Sequence, residues 1–166
     1  MNTQETVHAF TQHSEATKGI VFKVAALYFE NPEDRKDLVQ EIMIQLWKAY
    51  PRYNPQGSYA TWVYRIAFNV AISYKRKTLR RLQPEHVEHE QLLMLPELRN
   101  EELEEQLNFL QRCIAGLPDF DKALIMLYLD EKSHKEMAEI MGLTLTNVGT
   151  RISRIKAKLK QLFFDI

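Results

Sequence analysis

The sequence predicts an all-α fold of two small helical domains joined by an acidic linker, with the C-terminal domain a helix-turn-helix. Three observations lead there. Apolar residues recur at helical spacing almost throughout, whereas strand-like alternation and the Asn-Gly or Asp-Gly signals of hairpins are missing. Glu85 to Glu105 holds eight glutamates (85, 88, 90, 97, 101, 102, 104 and 105) against Arg99 alone, a block that normally stays solvated. Near the C-terminus a serine–glutamate cap, a short apolar helix and a glycine turn follow one another. The expected boundaries are 1–81, 82–102 and 103–166.

A first helix is expected from His8 to Phe29. Asn31-Pro32-Glu33-Asp34 then supplies a cap, a proline at the first helical position and acids in the first turn of a second helix running to about Tyr50. Leu38, Ile42 and Leu46, with Val39 and Met43, form its apolar stripe, while Asp37, Gln40, Glu41 and Lys48 lie outside it. Pro51 to Ser58, with two prolines and Gly57, reads as a loop. Tyr59 to Arg81 reads as a third helix that is apolar nearly all round. It is therefore either a central buried helix or a surface that meets something aromatic. After the linker, helicity resumes with Leu103, Leu107, Leu110 and Ile114 and stops at Gly116-Leu117-Pro118. If Leu82 to Pro96 is extended it reaches at most ~50 Å, or about 15 base pairs.

The C-terminal pattern has the most specific local logic. Ser133-His134-Lys135-Glu136 is a capping box, in which serine oxygen and glutamate carboxylate satisfy free N–H groups at a helix start. A short helix to Met141 ends at Gly142, where a left-handed residue is needed. Leu143 can pack into the angle, and Thr144 or Thr146 can cap a second helix. At 100° per residue Asn147, Thr150, Arg151, Arg154 and Lys158 share one face of that helix, and Val148, Ile152, Ile155 and Leu159 share another. Asn can pair with adenine and Arg with guanine in the major groove, while lysines neutralise phosphates.

Length and composition bound the function. With 166 residues, 45% hydrophobic and 27% charged, and only five glycines and six prolines, the chain suits one ordinary globular domain or two small ones. The single cysteine, Cys113, allows no internal disulfide and reads as a buried structural thiol, consistent with a reducing compartment. No basic-then-apolar leader and no run of roughly 18 apolar residues is present, so a cytoplasmic protein without membrane insertion is expected. No P-loop, G-x-S-x-G or H-E-x-x-H occurs. His86-x-x-His89 lacks a Cys or acidic partner at closed-site spacing and reads as a solvated pair. No enzyme, cofactor or metal site is expected. The zero net charge conceals two basic segments: Thr61 to Pro84 holds Arg65, Lys75, Arg76, Lys77, Arg80 and Arg81, and Leu145 to Leu162 holds Arg151, Arg154, Lys156, Lys158 and Lys160. Neither contains an acid.

These residues resemble the sigma factors of bacterial RNA polymerase, specifically the extracytoplasmic-function group (group IV of the sigma-70 family), over about Ala25 to Arg81 and Ile114 to Leu162. The first signature is Asp37-Leu38-Val39-Gln40-Glu41 with Leu46-Trp47, then Tyr59-x-x-Trp62-Val63-x-x-Ile66-Ala67-x-Asn69 and the basic end Lys75-Arg76-Lys77. The second is Leu117-Pro118, Ser133-x-x-Glu136-Met137-Ala138, Gly142-Leu143-Thr144 and Val148-x-x-Arg151-Ile152-x-Arg154. The resemblance implies a first domain that binds core polymerase, through the β′ clamp helices and with β as a further contact, and captures the melted −10 element. It implies a second domain that reads the −35 duplex, and an anti-sigma partner is common in the family. By position, Asp37, Gln40, Glu41 and Trp47 fall on the polymerase-binding surface. Tyr53, Asn54, Ser58, Tyr59, Trp62, Arg65, Asn69, Lys75 and Arg76 fall in the −10 region, and the loop Tyr53 to Ser58 with Asn69 receives a flipped base. Ser133, Thr144, Asn147, Thr150, Arg151, Arg154 and Lys158 fall in the −35 reader.

Interleaved aromatic and basic residues around Tyr59 to Arg76 are also what single-stranded DNA requires, because bases stack on rings while cations follow the backbone. Without the resemblance, Trp62 and Phe68 read as core. The chain departs from the family at Phe68 and Lys122, where arginine is common, at Ser73, where aspartate is, and at Gly149, where a basic residue is. The alternative function is a stand-alone regulator that binds duplex DNA through the C-terminal motif, which leaves Thr61 to Lys77 without a task.

The acidic block, with a net charge of −7 from its eight glutamates and Arg99, is either a solubilising linker or an intramolecular competitor for both basic surfaces. In the second case, replacing Glu85, Glu88, Glu90, Glu101 and Glu102 by Gln raises polymerase-free DNA affinity at low salt, and the gain shrinks as salt screens the charges. Fluorescence-anisotropy titration across a salt series measures this. Because removing negative charge also favours DNA non-specifically, the deciding control is the C-terminal fragment from Asp119 onward, and binding by it no tighter than by the full chain at matched low salt contradicts the competitor reading.

Overall fold

The structure, a computed structural model, describes residues 3–81 and 101–164. Most of the acidic block (85–100) and the His86–His89 pair lie outside the described residues. Among those described there are seven α-helices, one 3-10 turn and no strand, as the periodicity predicts. The chain forms two compact units, one built on 1–81 and the other holding most of the residues beyond.

The N-terminal unit packs three helices against one another: α1 (Thr3–Tyr28), α2 (Pro32–Ala49) and α3 (Tyr59–Arg81). Asn31 caps α2 as expected, its side-chain oxygen accepting from Glu33 N at 2.8 Å and Asp34 N at 3.4 Å. Val21, Val24, Ala25 and Tyr28 of α1, Leu38, Ile42 and Leu46 of α2, and Val63, Tyr64, Ala67, Phe68 and Ala71 of α3 make the core. Helix α3 buries one face in this core and leaves another exposed, and Phe68 stands with 1% of its surface exposed. Two expected boundaries move. Helix α1 begins at Thr3 rather than His8, because Phe10 meets the edges of Trp47 and Tyr50 at 5.1 and 5.2 Å and gives the first turns tertiary partners. Pro51 and Arg52, expected in a loop, belong to a 3-10 turn (Tyr50–Arg52). Proline in the first turn of that helix forfeits no hydrogen bond there.

The C-terminal unit consists of α4 (Glu101–Ala115), α5 (Asp119–Leu129), α6 (His134–Met141) and α7 (Leu145–Phe164). Helix α4 starts two residues before Leu103, within the usual uncertainty of a helix end. Leu124, Leu127, Met137, Ile140, Val148, Ile152, Ile155 and Leu159 are buried. Cys113 is half-buried on α4. The capping box at Ser133, the stop at Gly142 and the expected apolar face of α7 all form. Of the two cap candidates it is Thr144 that caps α7, its hydroxyl oxygen accepting from Asn147 N at 3.2 Å. Between α5 and α6 the chain turns through Glu131 at φ 57, a left-handed position that the sequence does not announce because glutamate is not a residue of choice there.

Two glycines should respond to alanine with opposite signs. Gly142 sits at φ +66, so Gly142→Ala should cost roughly 1–2 kcal/mol. Gly149 is helical, and a Cβ there would meet the His134 ring at an ordinary 3.8 Å, so Gly149→Ala should add about 1 kcal/mol. Far-UV circular dichroism during urea unfolding should show both shifts. Fluorescence should not, because the two tryptophans, Trp47 and Trp62, lie in the N-terminal unit.

Candidate nucleic-acid and polymerase interfaces

The outer face of α2 presents Asp37, Gln40, Glu41 and Trp47 within about a third of the helix circumference. Asp37 and Gln40 are exposed, Glu41 is half-buried and accepts from Gln45 Nε2 at 2.8 Å, and Trp47 is 40% exposed. Ile44 lies in the middle of this stripe and is 46% exposed. As an apolar residue beside the apolar stripe it is not singled out by the sequence pattern, yet its angular position between Gln40 and Lys48 places it outside that stripe. An exposed apolar residue flanked by polar ones is a common composition for a protein contact. The acids of this face reach α3: burial pushes the Tyr74 hydroxyl pKa up, and Asp37, Asp34 and Glu41 raise it further.

The loop between α2 and α3 is tied at every step. Asn54 Oδ1 accepts from Gln56 N at 3.0 Å, Asn54 O accepts from Gly57 N at 3.2 Å, and Tyr53 Oη donates to Gly57 O at 3.1 Å. Asn-Pro-Gln-Gly suits such a turn. Ser58 then starts α3, its hydroxyl oxygen accepting from Thr61 N at 3.3 Å. Beneath the loop lies a ring cluster. Tyr53 meets Tyr59 at 5.1 Å and Trp62 at 5.2 Å, and Tyr59 stacks on His13 of α1 at 4.6 Å. A hydrogen bond of 2.9 Å joins His13 Nδ1 to the Tyr50 hydroxyl. Burial raises the Tyr59 hydroxyl pKa above the ordinary tyrosine value. No local pattern marks His13, which is 37 residues from Tyr50, and sequence reading missed it.

Along α3, Trp62, Arg65, Asn69 and Arg76 fall on one face with Ser73. Arg65, Asn69 and Arg76 are exposed and Trp62 is half-buried, so an aromatic ring, cations and an amide line up on solvent. Lys75 and Asn69 also make contacts of their own. Lys75 turns towards α1, its ammonium 5.8 Å from the Tyr28 ring centre. Asn69, expected beside the loop, lines a groove of about 480 Å³ with Glu41, Gln45, Ser73 and Lys77.

In the C-terminal unit Ser133 N donates to Glu136 Oε2 at 2.7 Å and Glu136 N to Ser133 Oγ at 3.1 Å. The bond from the Ser133 backbone is the main cause holding the Glu136 carboxyl below its ordinary pKa. Ser133 and Thr144 are therefore both exposed cap residues at helix starts. On α7, Asn147, Thr150, Arg154 and Lys158 are exposed while Arg151 is half-buried. Thr150 Oγ1 donates to Thr146 O at 3.0 Å, which leaves the hydroxyl oxygen outward as an acceptor. Among the described residues no group of three or more His, Cys, Asp or Glu is placed to hold a metal ion, and no helix is long and apolar enough to cross a membrane.

Two family descriptions match the chain, sigma-70 region 2 over residues 14–81 and sigma-70 region 4 over residues 109–159. The ECF RNA polymerase sigma factor SigW of Bacillus subtilis (strain 168) is 29% identical over 170 residues, covering 95% of this chain and 90% of that protein. The ECF RNA polymerase sigma-E factor of Escherichia coli (strain K12) is 33% identical over 134 residues, covering 74% of this chain and 70% of that protein. Among solved structures, the fold resembles the sigma factor RpoE in complex with the anti-sigma factor NepR from Bartonella quintana. Its TM-score is 0.72 at 19% identity, over 93% of this chain and 96% of that one. It also resembles CnrH in complex with the cytosolic domain of CnrY, with a TM-score of 0.67 at 21% identity, over 95% and 89%. With both regions matched in order and a relative of this similarity spanning more than two thirds of its own length, the chain belongs to the ECF family of RNA polymerase sigma factors, which direct the polymerase in transcription initiation.

Proposed function

We propose that this sigma factor divides its work between two units, as a group IV member acting in the cytoplasm without catalysis of its own. Residues 1–81 hold core polymerase through the outer face of α2 and take the melted −10 strand on the loop and on the exposed stripe of α3. Residues 103–166 read the −35 duplex with α7, and 82–102 link the two. The observation that carries this reading is the exposed stripe of Trp62, Arg65, Asn69 and Arg76, which combines a stacking surface with cations and has no task in a protein that binds only duplex DNA. The tied loop supports it, because a loop already held by its own hydrogen bonds avoids the cost of being ordered on binding. The similar structures of RpoE with NepR and of CnrH with CnrY support an anti-sigma partner here as well.

Polymerase binding and promoter reading should separate by mutation. Gln40→Ala combined with Ile44→Ala should weaken core-polymerase binding by roughly tenfold, about 1.4 kcal/mol, with unchanged circular dichroism, because both side chains are exposed. Surface-plasmon titration with core polymerase measures it, and undiminished affinity contradicts the assignment. Arg154→Ala should leave that affinity intact and cost ~1–3 kcal/mol of discrimination at one position of the upstream duplex. Selection from a randomised −35 library reads this, and an unaltered base preference removes α7 from the role.

A further inference from the structure

Arg151 lies on the proposed reading face of α7 with its side chain 41% exposed, yet its guanidinium is engaged within the unit. Its Nε donates to Asn147 Oδ1 at 3.2 Å, one helical turn back. Its Nη1 stands 3.5 Å from Asp121 Oδ1 in the first turn of α5, and its guanidinium carbon is 5.1 Å from the Phe120 ring centre. Two residues of α5 and one of α7 therefore hold a single guanidinium. Arg154, one turn further along the face, is exposed.

The tie has a chemical consequence for Asn147. Arginine carries only donors, so the Asn147 atom that it meets is the carbonyl oxygen, and the amide nitrogen with its two hydrogens is turned the other way. A free asparagine recognises adenine by accepting from N6 while donating to N7. With the oxygen directed at Arg151 and one of its two lone pairs engaged there, Asn147 is biased towards presenting its amide hydrogens to the groove. The edges that match donors alone are the N7 and O6 of guanine and the O4 of thymine.

We propose that Asp121 is a specificity-determining residue of −35 reading. Through Arg151, a positioning residue, it holds Asn147 with its amide hydrogens towards the groove and selects guanine or thymine over adenine at the base that Asn147 meets. This rests on the assignment of α7 as the −35 reader. The assignment changes what the sequence suggests for two residues, since Arg151 gives up the guanine fork and Asn147 gives up adenine. Asp121 also sets one negative charge beside the basic face, so it exchanges phosphate attraction for orientation.

The test is promoter selection by the full chain bound to core polymerase, with the −35 duplex randomised. Asn147→Ala identifies the position that Asn147 reads. At that position the wild type should prefer guanine or thymine, Asp121→Ala should lower that preference relative to adenine by roughly tenfold, and Asp121→Glu should restore it. Circular dichroism confirms that the variants fold, and Asp121→Asn, which keeps the shape and removes the charge, should behave like Asp121→Ala. A residue that merely stabilised α5 would change overall affinity without moving the base preference. If Arg154→Ala and Asn147→Ala alter selection while Asp121→Ala and Asp121→Asn do not, the proposal fails and the −35 reading stands. A wild-type preference for adenine at the Asn147 position also overturns it. If neither Arg154→Ala nor Asn147→Ala alters selection, the reading of α7 fails, and the proposal with it.

Discussion

The burial of one face of α3 against α1 and α2 governs the N-terminal unit. Val63, Tyr64, Ala67, Phe68 and Ala71 are buried against α1 and α2, and each large side chain so removed from water contributes about 1.5–3 kcal/mol. With those positions turned inward, Trp62, Arg65, Asn69, Ser73 and Arg76 can only face out. The exposed stripe is thus the complement of the core. Phe68, with 1% of its surface exposed, belongs to that core. The same packing fixes the start of α3, so that the Ser58 cap, the strapped turn from Asn54 to Gly57 and the rings of His13, Tyr53 and Tyr59 form one unit with the core.

The C-terminal unit has shorter helices and relies more on its ends. The reciprocal Ser133–Glu136 bonds, the left-handed Gly142 and the Thr144 cap set the angle between α6 and α7. Val148, Ile152, Ile155 and Leu159 then anchor α7 by one face. What remains outward is basic and amide-bearing, and it is shaped by α5, whose first turn supplies Phe120 and Asp121 to Arg151. The helix-turn-helix therefore includes a third helix in its chemistry as well as in its core. At Gly149 the His134 ring lies beside α7, where a Cβ would meet it at 3.8 Å.

Much of this was legible in the sequence, for a definite reason. Caps and turns act within four residues, so Asn31, Ser133, Gly142 and the span Tyr59–Arg81 could be placed from local pattern alone. Contacts between distant residues could not. The His13–Tyr59 stack, the Phe10 contacts that extend α1 and the Asp121–Arg151 pair join segments 30 or more residues apart, and no periodicity encodes them. Ile44 is an intermediate case, since helical geometry already places it with Gln40 and Trp47, but only its exposure shows that the core does not use it. Asn69 and Lys75 have contacts that local pattern does not encode either, since Asn69 lines a groove with Glu41 and the Lys75 ammonium lies over the Tyr28 ring.

The proposed division of labour requires both proposed DNA-facing surfaces to act together on one polymerase. Run-off transcription tests it most directly, with core RNA polymerase, the full chain and a template selected by that holoenzyme. A transcript of defined length should appear with the chain and not with core alone, and it should be lost when Trp62 and Arg65 are replaced by alanine while duplex binding by the free chain persists. Duplex binding without any chain-dependent transcript would contradict the account and leave a regulator that only binds duplex DNA.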